Sequence, residues 1–222
     1  VSSTFPVMIP LQRRPFKFYS STGIQICIAL SDPNNSNFSN ILREIIKKSL
    51  FTERQIEIIL KSSKSDWEDF ISVDITGSIL LSKYCIPIMK KNLGGKIVNI
   101  SSTYGILSPD QRLYESISTN SKNNLKIQKP IGYSISKSAI LNLTRYLATM
   151  YAKNKIRVNT LTLGGVYAKN PRNFVKAYSS KTPLGRMASK EEYCGPLHFL
   201  ISDASSYMTG ANLIVDGGWS SW

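Results

Sequence analysis

The second half of the chain alternates short β-like runs with helical patterns, and this alternation restricts it to folds built around a parallel sheet. Gly94-Gly95 introduces Lys96 to Ser101, where Ile97, Val98 and Ile100 suit a buried strand. From Tyr133 to Lys153, apolar residues at Ile140, Leu143, Leu147 and Met150 keep a helical spacing, and Ile156 to Leu163 reads as the next strand. An irregular stretch with Gly164-Gly165, Pro171 and Pro183 follows, then a helix from about Ser189 to Leu200 and a last strand from Ala211 to Val215. Upstream, Trp67 to Asn92 reads as one long helix with an apolar face, which Pro87 is expected to bend or interrupt. Two further strands, Gly23 to Leu30 and Gln55 to Leu60, are expected around a helix from about Phe38 to Lys48, while residues 1–22 give no assignable element.

Bulk properties restrict function less. With 222 residues, 42% of them hydrophobic and 19% charged, the chain is expected to form a single globular domain. Its longest apolar stretches are short and interrupted, and no basic-then-apolar leader opens it, so no membrane association and a cytoplasmic location are the expectations. Cys27, Cys85 and Cys194 are odd in number and far apart, which suggests neither a disulfide framework nor a metal site. The formal charge of +14 raises nucleic-acid binding as a reading. The lysines are scattered in pairs without a basic run or a nucleic-acid-binding signature, which makes it the least favoured one.

Tyr133 and Lys137 stand four residues apart in the expected helix, which puts phenol and ammonium on one face. An ammonium beside a phenol stabilises the phenolate, the requirement for an acid/base catalyst. Alone, this spacing equally describes a lysine stem covering a half-buried tyrosine. Its setting is more specific: Gly95-Lys96-Ile97-Val98-Asn99-Ile100-Ser101-Ser102 with Gly105 before the helix, Lys155-Ile156-Arg157-Val158-Asn159 and Gly164-Gly165-Val166 after it, then Ser205 to Gly210 and Val215-Asp216-Gly217-Gly218.

In that order these segments resemble the short-chain dehydrogenase/reductase family over residues 67–222, implying a Rossmann-like, doubly wound α/β parallel sheet, incomplete at its N-terminus. The resemblance implies that Ser102 hydrogen-bonds the reacting oxygen, that Tyr133 donates or accepts its proton, and that Lys137 holds the nicotinamide ribose and tunes the tyrosine. Gly164, Gly165 and Val166 fall at the family's turn against the nicotinamide, with Leu163 where a proline is usual. Asp74 takes the place of an asparagine that binds a relay water; a carboxylate can accept hydrogen bonds there but not donate them. Asp32 resembles an adenine-contacting aspartate and equally reads as a turn or cap residue before Pro33.

The stretch from Ser102 to Glu115, with Trp219 and Trp222, is similar to a bacterial branch of flagellin-modification and sugar-related oxidoreductases. Ser118 to Lys129 reads as an inserted polar loop. It is either a surface excursion or a means for Arg112, Lys126 and Lys129 to meet a phosphorylated or nucleotide-linked sugar.

The implied activity is carbonyl/alcohol oxidoreduction of a small, sugar-derived molecule with NAD or NADP, in a homo-oligomer. A second reading is a catalytically impaired or truncated family member serving as an association partner. Nothing before Asp32 resembles the T-G-x-x-x-G-x-G turn that brings pyrophosphate to a helix start, so weak dinucleotide binding is expected of this chain. The single histidine, His198, has no nucleophile motif near it and is expected to be a packing or surface residue.

Overall fold

The computed structural model describes residues 64–114 and 128–222. Asp32, Lys126 and the elements expected before residue 61 lie outside the described residues. Among the described residues the order is α1 (Lys64–Phe70), a π-helical turn (Ile71–Thr76), α2 (Gly77–Lys91), β1 (Gly95–Ser102), α3 (Ile131–Tyr151), β2 (Ile156–Leu163), α4 (Arg172–Ser179), α5 (Cys194–Ile201) and β3 (Asn212–Val215).

The described strands form a parallel sheet in the order β1-β2-β3. β2 is paired from Ile156↔Gly95 to Leu163↔Ser102 on one side and from Thr160↔Asn212 to Leu163↔Val215 on the other. Parallel neighbours need long crossovers, and α3 provides the one between β1 and β2. The architecture is α/β and Rossmann-like, as the alternating pattern requires.

β2 is buried along most of its length, yet it carries Asn159, Thr160 and Thr162. Each finds a partner. Asn159 donates to the Met208 carbonyl at 3.0 Å and accepts from the Ala211 amide at 3.1 Å. Thr160 bonds Thr144 at 2.7 Å, and Asn99 of β1 donates to the same Thr144 hydroxyl at 2.8 Å. Buried polar groups paired in this way tie α3 to both strands at a fixed register. Around them Ile86, Leu147, Ala148, Ile156 and Val158 form one apolar cluster, each large side chain contributing about 1.5–3 kcal/mol on burial. Leu113, Phe174, Tyr178, Met187 and Trp219 form a second.

The long helix differs from its expected form. Pro87 lies inside α2, and the departure from α-helical geometry comes earlier, at Ile71–Thr76, where the Gly77 amide donates to the Ser72 carbonyl five residues back. By length and composition alone Ser65–Lys91 is long and apolar enough to cross a bilayer, which the interrupted apolar pattern did not suggest. The segment is mostly exposed; Phe70 packs edge-on against Tyr133 of α3, and Ile86 joins the first cluster. One helix was missed in the sequence. α4 falls in the stretch read as irregular, and its Phe174 and Tyr178, one turn apart, anchor the second cluster.

Candidate functional site

At the carboxyl ends of β1 and β2 lies a cavity of about 300 Å³. Its wall includes Ser102, Tyr133, Lys137, Gly164, Gly165 and Val166, six residues singled out in the sequence, together with Lys129. Clefts at the carboxyl ends of parallel strands are where such sheets bind ligands.

Ser102 closes β1 and caps the short turn that follows, its hydroxyl accepting from the Tyr104 amide at 3.2 Å. Ser101 is committed elsewhere, donating to the Lys137 carbonyl at 2.8 Å. This bond draws the end of β1 against α3, and Gly105 permits it. A Cβ at residue 105 would fall 2.6 Å from the Ser101 hydroxyl and 2.7 Å from the Lys137 carbonyl oxygen.

On α3, Lys137 Nζ lies 5.8 Å from the centre of the Tyr133 ring and 3.0 Å from Asp74 Oδ1. Asp74 Oδ2 accepts from the buried Ser136 hydroxyl at 2.6 Å, so one carboxylate holds two consecutive residues of α3. The π-helical turn that carries Asp74 packs on α3 but is not part of the cavity wall. Among the described residues, Asp74 therefore meets the cavity wall through Lys137.

Gly164 and Gly165 follow β2 directly. The Gly165 amide donates to the Tyr178 hydroxyl at 2.7 Å, and a Cβ there would fall 2.4 Å from the Tyr178 ring. Burial pushes the Tyr178 phenol up to about 12, against the opposing effect of the bond from Gly165. Val166 continues into an isolated parallel bridge with Ala188.

Of the three cations proposed to meet substrate, the structure brings one to the cavity. Lys129 is half-buried, and its Nζ lies 3.9 Å from the centre of the Tyr133 ring. Its amide donates to Gln111 Oε1 at 2.9 Å and its carbonyl accepts from Gln111 Nε2 at 3.0 Å. Arg112 instead forks onto Asp110 at 2.8 and 2.9 Å, with its side chain 77% exposed. Lys181 bonds the same carboxylate, and Arg112 and Lys181 together hold Asp110 well below the usual carboxylate range.

Tyr104, Tyr114, Asn170, Phe174 and Met187 complete much of the wall and were not singled out in the sequence. Only the Phe174/Tyr178 spacing signalled a buried helix face; the others lie in turns and loops without a periodic pattern. The Tyr104 and Tyr114 hydroxyls share a hydrogen bond of 3.2 Å, and burial raises both phenols, keeping them protonated. His198 is exposed on α5. Among the described residues, no group of three or more His, Cys, Asp or Glu side chains gathers to hold a metal.

Comparison with known proteins bears on this arrangement. Residues 50–220 match the family model described as enoyl-(acyl carrier protein) reductase. The chain is 34% identical to the post-translational flagellin modification protein A of Campylobacter coli, over 67% of this chain and 55% of that protein. It is 35% identical to a D-arabinitol 2-dehydrogenase (ribulose-forming) of Scheffersomyces stipitis, over 70% of this chain and 53% of that one. Thus the chain spans about half the length of these relatives. Among solved structures, a short-chain dehydrogenase from Leptospira borgpetersenii with bound NAD+ superimposes with a TM-score of 0.64 at 34% identity, covering 72% of this chain and 58% of that one. A gluconate 5-dehydrogenase from Burkholderia cenocepacia, in complex with NADP and tartrate, gives 0.63 at 25% identity, covering 74% and 60%. With the parallel sheet, the ordered motifs and the matched span in agreement, the chain belongs to the short-chain dehydrogenase/reductase family.

Proposed function

We propose that this chain interconverts a carbonyl and an alcohol on a sugar-derived small molecule, with NAD or NADP as the hydride partner. The observation that carries this reading is the meeting of Ser102, Tyr133 and Lys137 on the wall of one cavity at the carboxyl ends of the strands. These two hydroxyls and one ammonium are the donor set that a reacting oxygen and a ribose require, so the described residues fit the nicotinamide end of a dinucleotide. When bound, the nicotinamide supplies or accepts the hydride.

The chain's own residues manage the proton and the geometry. Ser102 donates a hydrogen bond to the substrate oxygen, and Tyr133 gives that oxygen its proton in reduction or removes it in oxidation. Lys137, 5.8 Å from the centre of the Tyr133 ring, presents its ammonium to the ribose hydroxyls. Asp74, itself bonded by Ser136, holds that lysine, and the backbone of Gly164 to Val166 forms part of the same cavity wall. The D-arabinitol and gluconate dehydrogenases among the similar proteins support a polyol-type substrate. The test is nicotinamide-linked turnover of polyols and keto-sugars that disappears in Tyr133→Phe.

Association of copies is a second part of this reading. Leu81, Tyr84 and Ile88 are 66, 66 and 61% exposed at helical spacing on α2, an apolar face suited to a homo-oligomer. Light scattering of native and Leu81→Asp protein tests it: a multimer that dissociates in the variant is expected, and a native monomer contradicts it.

A further inference from the structure

We infer that Lys129 is the anion anchor of this cavity, and that the substrate is a polyol bearing a single carboxylate, an aldonate-type acid rather than a neutral sugar alcohol. This rests on the oxidoreductase reading above and specifies its substrate.

The first observation is charge balance. Lys137 is paired with Asp74, and both Arg112 and Lys181 are paired with Asp110. Lys129 has no carboxylate partner among the described residues, and the described cavity wall includes no Asp or Glu. Among the described residues, one ammonium in the wall thus has no carboxylate beside it. Burial, and then repulsion from Lys137, lowers its pKa, and among the described residues its ammonium meets the face of the Tyr133 ring rather than a carboxylate. A bound anion relieves both effects.

The second observation is placement. Gln111 grips the backbone of Lys129 by two hydrogen bonds across 18 residues of chain. Leu113, next to that grip, is buried against the cluster of Phe174, Met187 and Trp219. Residue 129 is therefore fixed to the folded body, and its side chain lies across Tyr133, the proposed proton donor. A lysine on a solvated surface needs no such anchoring.

The charge and size of the ligand follow from the same geometry. One unpaired ammonium balances one carboxylate; a phosphate monoester brings about two negative charges and three acceptor oxygens, which call for further donors. The cavity of about 300 Å³, shared with the nicotinamide end on the oxidoreductase reading, suits a small polyol acid. The hydroxyls of Tyr104 and Tyr114, which bond each other, lie in the same wall and offer acceptor oxygens to the hydroxyls along its chain.

Calorimetry on the full chain at physiological salt, with D-gluconate and D-glucitol as probes, tests the assignment. Native protein is expected to bind gluconate at least tenfold more tightly than glucitol. Lys129→Gln should weaken gluconate binding about 10- to 100-fold, the worth of a charge-assisted hydrogen bond, without changing glucitol binding. Lys129→Arg should retain most of the preference, and Lys153→Gln, at an exposed lysine outside the cavity, should leave it unchanged. Equal affinity for the two probes, no gluconate binding, or native-like gluconate binding in Lys129→Gln overturns the inference. Tighter binding of D-glucose 6-phosphate than of gluconate overturns the single-carboxylate assignment. The comparison of probes on native protein needs no variant to fold. Absence of nicotinamide-linked turnover under conditions where gluconate binds counts against the oxidoreductase reading instead, and turnover without charge preference counts against the anchor alone.

Discussion

Asp74 Oδ1 lies 3.0 Å from Lys137 Nζ, and both side chains are largely shielded, at 17 and 16% exposure. The π-helical turn at Ile71–Thr76 carries the carboxylate to this position, and such turns recur where a helix serves a site. Where the resemblance places a neutral amide, this chain has a carboxylate, which on the proposed function competes with the ribose for the same ammonium.

Replacing the carboxylate by an amide should release Lys137. Asp74→Asn is expected to fold, since the amide oxygen still accepts from Ser136, and to turn over several-fold faster than native protein. Asp74→Ala leaves the shielded Lys137 ammonium without its carboxylate, while Ser136 keeps its bond to the Tyr133 carbonyl, and should lower stability by about 1–3 kcal/mol. Urea unfolding and steady-state rates check the pair; native behaviour in both variants means that the contact is inert.

Gly105 is a point of close approach between the end of β1 and α3. Gly105→Ala places a methyl 2.6 Å from the Ser101 hydroxyl and 2.7 Å from the Lys137 carbonyl oxygen, so strand and helix must separate. A loss of about 1–3 kcal/mol in chemical unfolding is expected from such overpacking. The displacement should also reduce turnover, because Lys137 sits at the contact. A variant as stable and active as native protein contradicts it.

Tyr178 makes an alkaline prediction. Its folded-state value of about 12 lies above the ordinary tyrosine value. Burial of the neutral phenol therefore contributes stability that is complete below about pH 10, the unfolded value, and is lost as pH rises through the folded one. Ultraviolet titration of native protein and Tyr178→Phe should differ by one phenol ionising near pH 12. A difference confined to the region of about pH 10 contradicts the burial assigned to it.

Much of the candidate site was legible because its residues sit at the ends of regular elements, where periodicity and motif spacing can be read. Ser102 ends β1, Tyr133 and Lys137 share one face of α3, and Gly164-Gly165 leave β2. The rest depends on tertiary contacts without a local signature. Nothing in the spacing distinguishes Lys129, which reaches the cavity, from Arg112, which Asp110 draws to the surface. The π-helical turn was invisible for a similar reason: Pro87 was the only local irregularity in its helix, and the structure accommodates it inside α2. α4 was obscured by the Gly and Pro residues around it, although Phe174 and Tyr178 keep a helical interval.

Dinucleotide affinity should be low. Residues 1–31 hold no glycine spacing that brings backbone amides to a pyrophosphate, and diffuse attraction by a chain of charge +14 is screened by salt. Calorimetry at physiological salt is expected to show no tight site for NAD, NADP or their reduced forms. A saturable micromolar site abolished by Lys137→Ala contradicts this and indicates a pyrophosphate pocket built by another route.

The most direct test of catalysis at this cavity is the rate of nicotinamide-linked turnover in native protein and Tyr133→Phe, at dinucleotide concentrations high enough to offset weak binding. The variant lacks one hydroxyl, keeps its ring against Phe70, and should unfold at the native denaturant concentration. Loss of general acid/base catalysis predicts a fall of about 10²–10⁴-fold in the rate with a polyol or aldonate substrate. Turnover retained in the variant, or absent from native protein with every polyol, keto-sugar and aldonate at either dinucleotide, contradicts oxidoreduction through Tyr133.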